Sequence, residues 1–350
     1  MTGFYKIPVK EITKETKKAV SVVFDIPEDL SSKFKFIPGQ YITIQKEIEN
    51  DLLRRAYSIC SSPNSDEFKV AVKEVARGSF SVFANRILKV GDILEISAPE
   101  GRFILETSGS NKKNYLAMVA GSGITPVLSM IKSVLETEEE STFILVYGNK
   151  SSDETIFKNE IDRLAIDHKD RFKVHYVYSQ ILSDLALSGR IDRNITREIV
   201  KNKYGHLSFD EYFLCGPETM IEQVKGAISG YGVNESFIRY ELFSSPLNKE
   251  DLKQDLSGNS KITVLLDEEE SSFDMAKDEL ILNIALVNGL DAPYSCQGGI
   301  CSSCLARVVE GEVVMDKNTI LNKDEVEEGL ILTCQAHPVS AAVKIDYDDI

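Results

Sequence analysis

Four cysteines in the last sixty residues of this 350-residue chain have a spacing that suits metal binding. Cys296, Cys301 and Cys304 lie within the stretch PYSCQGGICSSC, and 29 further residues separate Cys304 from Cys334. Thiolates are the protein ligands that zinc and iron–sulfur clusters take. In a cytosolic chain of this size, clustered cysteines are more often metal ligands than disulfide partners. The stretch therefore predicts a metal centre held by thiolates.

The spacing of these cysteines favours one kind of centre. C-x4-C-x2-C followed by a distant cysteine is the ligand pattern of plant-type ferredoxins, whose four thiolates hold a [2Fe–2S] cluster. Gly298 and Gly299 let the loop backbone wrap closely around such a cluster. A structural zinc site is the alternative, but it favours paired C-x2-C knuckles, and the chain has one. The other alternative is that these cysteines are buried in a packed core, but the loop that carries them is too polar and too rich in glycine for that.

Two regions precede this loop, and their patterns predict different folds. Residues 1–108 hold short alternating runs such as YITIQ and FKVAVKEV with turn residues between them, which predicts an antiparallel β-barrel or sandwich. Residues 109–246 alternate strands such as NYLAMVA with helical segments such as PVLSMIKSVLET. That rhythm predicts a parallel, doubly wound α/β domain.

The cysteine loop belongs to a third region. Residues 247–259 form the polar end of the stretch SSPLNKEDLKQDLSGNS and are interpreted as a linker. Residues 260–350 then begin with the strand KITVLL, an acidic turn and the amphipathic segment ELILNIALVNGL, before the cysteines. With the ligand pattern of plant-type ferredoxins, this region is predicted to be a C-terminal β-grasp ferredoxin domain.

Charge is concentrated in the third region. The chain carries a net charge of −15, and the residues from Ser260 onward hold 18 acidic against 6 basic side chains. Such a surface argues against nucleic-acid binding, which needs a basic face. It is either a solvated face that aids solubility or a docking face for a basic partner. No run of 18 apolar residues and no signal-like start are present, so a cytoplasmic protein without a membrane span is expected.

The first region carries motifs that resemble those of a known flavoprotein family. RAYS, residues 55–58, with FIPGQY before it, resembles the flavin motif of the ferredoxin–NADP reductase superfamily. The resemblance implies that residues 1–108 bind FAD, with Arg55, Ala56, Tyr57 and Ser58 at the flavin. In that family Arg55 would pair with the pyrophosphate, Tyr57 would offer its ring to the isoalloxazine, and Ser58 would hydrogen-bond N5. RAYS alone is also compatible with an ordinary alternating strand.

A second stretch extends the same resemblance. RGSFSVFAN, residues 77–85, is similar to the second flavin motif of the superfamily, in which a glycine and serines open a helix. The resemblance implies that Gly78, Ser79 and Ser81 bind flavin phosphate, as helix N-termini commonly do.

The second region contains a turn that suits a dinucleotide. GSGITP, residues 121–126, lies between a predicted strand and a predicted helix and matches the G-x-G-x-x-P form found in this superfamily. Gly121 and Gly123 would open the turn for a pyrophosphate, and Pro126 suits a first helical turn. By the resemblance, Thr125 would lie near the nicotinamide.

Two later motifs continue the resemblance. CGPETM begins at Cys215, which in the superfamily lies near the nicotinamide and is followed by Gly216 and Pro217. The simpler interpretation of Cys215 is a buried small apolar residue. Glu241 in YELF resembles the acidic residue that faces the flavin in these enzymes. Ser58, Cys215 and Glu241 are therefore the predicted catalytic residues.

Lys150 bears on the choice of nucleotide. It follows the strand TFILVYGN, and no acidic residue stands directly at that strand end to bind the ribose hydroxyls. Lys150 with Ser151 would suit a 2′-phosphate, which favours NADPH over NADH. The alternative is that Lys150 is simply a surface lysine.

The order of the three regions carries the functional prediction. Flavin, nicotinamide and C-terminal ferredoxin domains in about this length resemble the reductase subunits of ring-1,2-phenylacetyl-CoA epoxidases, whereas methane monooxygenase reductases place the ferredoxin first. The resemblance implies an oxidoreductase that passes electrons from NADPH through FAD and the cluster to a multi-subunit di-iron oxygenase. A reductase for another ring-hydroxylating or Rieske-type oxygenase and a non-catalytic redox carrier are the alternatives.

Overall fold

The computed structural model describes residues 3–180, 186–243 and 256–350. These residues divide into two compact units, one of which is Phe4–Phe243 and the other of which includes residues 256–350. Most of the predicted linker, residues 247–259, lies outside the described residues. Within the described ranges, no helix is long and apolar enough to cross a membrane.

The first unit begins with a six-stranded antiparallel sheet in the order β4-β3-β6-β1-β2-β5. Between β3 and β4, Glu49 and Asn50 both take positive φ angles of 56° and 69°, as a two-residue turn of type I′ requires. A bridge from Ile59 to Val70 joins the two ends of the sheet, so that it closes as the predicted barrel. Its elements are β1 (Tyr5–Thr16), β2 (Ala19–Phe24), β3 (Tyr41–Ile48), β4 (Asp51–Ser58), β5 (Phe68–Lys73), α1 (Ser79–Arg86) and β6 (Ile93–Ile96).

The rest of this unit is a parallel sheet in the order β10-β9-β8-β7-β11-β12, as the strand–helix rhythm predicts. The chain runs outward from β7 on one side and returns to its other side with β11, so the strand order reverses between these two strands. The elements are β7 (Asn114–Ala120), α2 (Ile124–Thr137), β8 (Thr142–Asn149), α3 (Lys158–Asp167), β9 (Phe172–Tyr178), β10 (Leu187–Ser188), α4 (Arg193–Arg197) with a π-helical continuation Glu198–Lys203, β11 (Glu211–Cys215), α5 (Glu218–Ser229) and β12 (Ile238–Glu241).

The barrel and the parallel-sheet domain share part of one apolar core. All six residues of β2 are buried. One face of the strand lines the barrel interior, and the other face is covered by residues outside the barrel. Small barrel residues, Ala19, Cys60 and Ala71, belong to the same apolar cluster as the buried residues of α2 and β7. Small side chains at this seam let the two layers approach closely.

The second unit is built on a five-stranded mixed sheet in the order β14-β13-β19-β15-β17. The predicted acidic turn is a tight hairpin between β13 and β14, where Asp267 and Glu268 take positive φ angles of 53° and 65°. With one main helix packed on this sheet, the unit confirms the ferredoxin-type architecture. Its elements are β13 (Asn259–Leu266), β14 (Glu269–Ala276), α6 (Ile281–Val287), β15 (Leu305–Glu310), β16 (Val313–Met315), α7 (Lys323–Glu327), β17 (Leu330–Leu332), β18 (Ala336–Pro338) and β19 (Ala342–Asp346).

Candidate functional site

The fold brings the four predicted metal ligands together. Three of them lie on the loop between α6 and β15, and Cys334 lies in a short 3₁₀ turn after β17. The backbone N–H of Thr333 donates to the Cys304 carbonyl oxygen at 3.1 Å, and its hydroxyl donates to the same atom at 3.0 Å. These bonds hold the distant fourth cysteine beside the third.

The four thiols are neighbours in a chain. Cys296 is hydrogen-bonded to both Cys301 and Cys334, and Cys334 is hydrogen-bonded to Cys304. No three His, Cys, Asp or Glu side chains among the described residues converge on the position of a single metal ion. Four neighbouring thiols are the donor set that a two-iron cluster takes.

The surroundings of the thiols disfavour thiolates unless a cation is present. The hydrogen bond to Cys296 and burial raise the pKa of Cys301 well above its usual value. The backbone N–H of Gly298 donates to the sulfur of Cys296 at 3.3 Å, which is the kind of bond that stabilises a thiolate. Bound iron would supply the positive charge that four clustered thiolates need.

Only one of the two loop glycines is required by the backbone. Gly299 has a φ of +68°, and a Cβ there would lie 2.8 Å from the carbonyl oxygen of Lys317. Gly298 does not have a positive φ, and a Cβ there would meet no protein atom closer than 3.7 Å, so its part in wrapping the backbone around a cluster stays a prediction. The left-handed position before it is taken by Gln297, with a φ of 52°.

The predicted flavin residues of RAYS lie at the end of β4. Ser58 is buried as the last residue of the strand, and Ala56 and Tyr57 are half-buried. Arg55 is exposed, and its guanidinium donates to the carbonyl oxygen of Arg54 at 2.7 Å. An exposed guanidinium beside a partly buried ring fits a ligand with a charged pyrophosphate and an apolar ring system.

The second flavin motif lies against the first. The rings of Tyr57 and Phe80 are 5.5 Å apart, so helix α1 is placed beside the end of β4. Gly78 caps α1 and Ser79, which is exposed, begins it, and no side chain caps the helix. Ser81 is buried, and its hydroxyl accepts the backbone N–H of Val75 at 3.1 Å. The uncapped N–H groups fit a phosphate.

The nicotinamide motifs meet where the strand order of the parallel sheet reverses. Val119 of β7 is in register with Cys215 of β11, so the carboxyl ends of the two strands are adjacent. Ligands of open α/β sheets bind in the crevice at such a reversal.

Two motifs that are ninety residues apart pack against each other at this point. A Cβ on Gly123 would lie 2.3 Å from the carbonyl oxygen of Cys215 and 3.1 Å from its sulfur. Gly216 is also crowded, since a Cβ there would lie 3.2 Å from Cβ of Ala120, the last residue of β7. The lack of side chains at these two positions is therefore what allows the loops to meet.

The remaining residues of the turn lie at the start of α2. Gly121 takes a φ of +56°, and Thr125 is buried with its hydroxyl donating to the Ser122 carbonyl oxygen at 3.0 Å. Pro126 is in the first turn of the helix, which no side chain caps. Pro217, which precedes α5, is exposed. The free helix start beside a left-handed glycine fits a pyrophosphate.

Cys215 and Glu241 are in register on neighbouring strands. Cys215 is fully buried, and burial followed by the nearby Glu241 carboxylate raises the pKa of its thiol well above the usual value. It is thus a neutral thiol that packs against the glycine turn. The interpretation as a small buried residue is compatible with this environment, and so is a place beside the nicotinamide.

Two lysines, Lys73 and Lys150, lie near this glycine turn. Lys150 is exposed just after β8, as predicted. Lys73, the last residue of β5, was not predicted; its ammonium nitrogen lies 3.5 Å from where a Cβ of Gly121 would stand. Burial lowers the pKa of Lys73, the nearby Glu154 raises it, and Lys150 lowers it. The sequence feature that could have identified Lys73 is its position at the end of a strand just before RGSFS.

Three family models match the chain in the predicted order. They are the oxidoreductase FAD-binding domain over residues 6–104, the oxidoreductase NAD-binding domain over 118–226 and the 2Fe-2S iron-sulfur cluster binding domain over 264–339. The three matches confirm the predicted FAD, nicotinamide nucleotide and [2Fe–2S] cofactors and the fold class.

Similar proteins share this order over their whole length. The chain is 36% identical over 352 residues to a subunit of 1,2-phenylacetyl-CoA epoxidase from Escherichia coli strain K12, covering 99% of each. It is 32% identical to the 3-ketosteroid-9-alpha-monooxygenase ferredoxin reductase component of Rhodococcus rhodochrous, covering 97% of this chain and 96% of that one. The solved structure of phthalate dioxygenase reductase shares the fold, with a TM-score of 0.60 at 22% identity and 98% coverage of both chains.

Proposed function

Because the chain belongs to the family of oxygenase reductase components that includes this subunit of 1,2-phenylacetyl-CoA epoxidase, we propose that its partner is a di-iron oxygenase of the phenylacetyl-CoA epoxidase type. The observation that carries the proposal is 36% identity over 99% of both chains with the same order of domains. The chain is an oxidoreductase with FAD-, NAD- and [2Fe–2S]-binding domains. A cytoplasmic location is part of the proposal, since cysteines stay reduced there.

The cofactors supply the redox chemistry, in which two electrons from a reduced nicotinamide leave one at a time through the iron–sulfur cluster. The protein binds and orients them. We assign Arg55, Tyr57 and Ser58 to the flavin, together with Ala56 beside them. The start of α1, with Gly78, Ser79 and Ser81, is assigned to flavin phosphate, and the four cysteines to the cluster.

The nicotinamide nucleotide is assigned to the crevice where the strand order reverses. Gly121, Gly123 and Pro126 would hold the pyrophosphate, and Thr125 would lie near the nicotinamide, with Gly216 and Pro217 opposite them. Cys215 and Glu241 would lie beside the reacting ring. Cys215 would exclude water from it, and Glu241 would place a carboxylate next to it. Lys73 would add positive charge at the phosphates, which its position beside Gly121 supports.

The partner assignment is tested by reconstitution. The reductase is combined with a phenylacetyl-CoA epoxidase-type oxygenase or with a ring-hydroxylating Rieske-type oxygenase, and NADPH oxidation is compared with product formed. Coupled turnover with the first alone is expected. Coupled turnover with the second alone would replace the proposal by the alternative, which the 32% identity to a monooxygenase reductase supports. A redox carrier without catalysis would show no oxidation of NADPH in either mixture.

We propose NADPH rather than NADH as the electron donor, with Lys150 binding the 2′-phosphate. Changing Lys150→Ala is expected to raise the Kd for NADPH about tenfold, since a charged hydrogen bond contributes about 1.5 kcal/mol or more. The Kd for NADH should change less than about twofold, because NADH has no phosphate there. Equal effects on the two nucleotides would contradict the assignment.

The acidic surface of the ferredoxin unit is proposed to dock on a basic face of the oxygenase. Electron transfer to the oxygenase at saturating NADPH is expected to slow about tenfold between about 20 and 500 mM salt, because screening weakens steering. Flavin reduction by NADPH serves as the control and should change little. A rate that is independent of salt would exclude docking by charge.

Two acidic clusters are available for such docking. One is the hairpin Glu268, Glu269 and Glu270, and the other lies on and after α7, with Asp324, Glu327 and Glu328; all six are exposed. The variants E268Q/E269Q/E270Q and D324N/E327Q/E328Q remove the same charge from each. Each triple variant is the control for the other. The variant in which electron transfer to the oxygenase no longer depends on salt identifies the docking face.

A further inference from the structure

Helix α2 carries a stripe of polar side chains along one face. Ser129, Lys132 and Glu136 follow one another at spacings of three and four residues, which places them on the same side of a helix. Thr125, assigned to the nicotinamide, lies one turn before Ser129 on that face. The helix is otherwise mostly apolar and buried. A polar stripe in such a helix needs partners, and these three side chains have them on the barrel.

Each side chain of the stripe holds one of three consecutive barrel residues. The Ser129 hydroxyl donates to the carbonyl oxygen of Ser61 at 2.6 Å. The Lys132 ammonium donates to the carbonyl oxygen of Cys60 at 3.2 Å. The Ser62 hydroxyl donates to the Glu136 carboxylate. Residues 60–62 are therefore fixed to α2 by three hydrogen bonds, one at each residue.

The first two of these bonds are shielded from water. Ser129 is fully buried and Ser61 is 1% exposed. The side chain of Lys132 is 12% exposed, and its charge is paired with Glu160 of α3 at 2.6 Å. Buried bonds of this kind are strong and directional, so they fix position rather than merely hold surfaces together.

Close packing beside the stripe adds to the constraint. A Cβ on Gly39 of the barrel would lie 2.0 Å from the Phe103 carbonyl oxygen and 2.6 Å from Cε of Met130, a residue of α2 next to Ser129. The lack of a side chain at Gly39 therefore makes room for the Met130 side chain of α2 against the barrel.

The stripe lies a short distance along the chain from each of the two assigned reaction sites. Residues 60–62 continue directly from Ser58, the last residue of β4. At about 3.3 Å per extended residue, Ser61 is about 10 Å from Ser58 along the chain. At 1.5 Å per helical residue, Ser129 is about 6 Å from Thr125 along the helix axis. A shift at the stripe would thus be felt at both sites.

We propose that Ser129 and Lys132 are positioning residues for hydride transfer, which set the distance between the flavin on the barrel and the nicotinamide on α2. The inference rests on the proposed assignments of Ser58 and Thr125. In the step concerned, the C4–H bond of the nicotinamide breaks, its electron pair forms the N5–H bond of the flavin, and the nicotinamide is oxidised. Misplacement by about 1 Å slows such a step about 100-fold.

The chain offers a matched control within the same helix. Ser133 is also fully buried in α2, but its hydroxyl donates to the Ser129 carbonyl oxygen of its own helix at 2.9 Å. Ser129→Ala and Ser133→Ala therefore remove the same atom from the same helix, and only the first removes a bond to the barrel.

The test compares these two variants as purified FAD-containing protein. Ser129→Ala is expected to lower the limiting rate of flavin reduction at saturating NADPH about tenfold or more, with FAD content and nucleotide Kd within about twofold of the parent. Hydrogen exchange at amides 59–62, measured without nucleotide, should become faster. Ser133→Ala should leave both the limiting rate and this exchange near the parent values.

Lys132 provides an independent second pair. Lys132→Met is expected to slow flavin reduction in the same way, and Lys132→Arg, which keeps a charged donor, should restore most of the rate. If Ser129→Ala does not retain FAD, this pair decides the question. If neither Ser129→Ala nor Lys132→Met retains FAD, the stripe is needed for assembly and the positioning role is wrong.

Other outcomes overturn the proposal directly. Equal rates for Ser129→Ala and Ser133→Ala, or no difference between Lys132→Met and Lys132→Arg, would show that the stripe does not set the distance. Failure of the proposed partner assignment is distinguishable, because it would appear in the reconstitution with oxygenases and would leave flavin reduction by NADPH in the unchanged protein intact.

Discussion

Replacing Cys334 by serine is expected to remove the iron–sulfur cluster and to stop electron delivery to one-electron acceptors while sparing the flavin. Cys334 is one of the two inner members of the thiol chain, hydrogen-bonded to Cys296 and to Cys304. Iron bound per chain should fall from two to nearly none, and cytochrome c reduction should fall about 100-fold or more, because the route through the cluster is lost. Flavin reduction by NADPH should remain.

The control for this prediction is Cys60→Ser. Cys60 is fully buried in the other unit of the chain and is not one of the four predicted ligands, and its pKa is raised to about 12, chiefly by burial. That variant should keep its iron. Iron content and cytochrome reduction that survive in Cys334→Ser would mean that another ligand completes the centre.

The second large effect is expected at Gly123. In Gly123→Ala the new methyl group would lie 2.3 Å from the Cys215 carbonyl oxygen and 2.7 Å from its carbon, both of which belong to the backbone. The two loops must therefore separate, at a cost of about 1–3 kcal/mol in unfolding free energy. Because the same loops are assigned to the nucleotide, the Kd for NADPH should rise about tenfold or more.

Gly226→Ala is the matched control, since this glycine lies inside α5 and a Cβ there would meet only the Arg193 guanidinium at 3.6 Å. That change should be neutral or should stabilise the protein by about 0.5–1 kcal/mol. Urea unfolding and nucleotide titration measure both variants. A Gly123→Ala protein as stable and as tight in binding as the Gly226→Ala protein would contradict the predicted crowding.

The parts of the fold that depend on local patterns were predictable. The run NYLAMVA coincides with β7, Asn114–Ala120, because a buried parallel strand is apolar throughout. The cysteine spacing identified the cluster because a fixed set of four ligands leaves a fixed pattern in sequence. Glycine roles were less readable: Gly299 has the required backbone conformation and Gly298 does not, and residue type does not reveal φ.

The residues that act between distant segments were not predictable from one sequence. From the sequence alone, Ser129 and Lys132 would be interpreted as the polar face of a surface helix. The fold shows that they are buried against residues 60–62. Lys73 lies beside Gly121 because two domains meet there. The individual roles assigned to Arg55, Tyr57 and the other cofactor-binding residues stay predictions.

The apolar cluster that Ala19, Cys60 and Ala71 share with α2 and β7 couples the unfolding of the barrel to that of the parallel-sheet domain. A fragment ending near residue 108 would expose these side chains and the outer face of β2 to water, so it should aggregate rather than fold alone. Chemical denaturation should unfold residues 4–243 as one cooperative block, whereas the ferredoxin unit has a separate core and is expected to fold when it is produced alone.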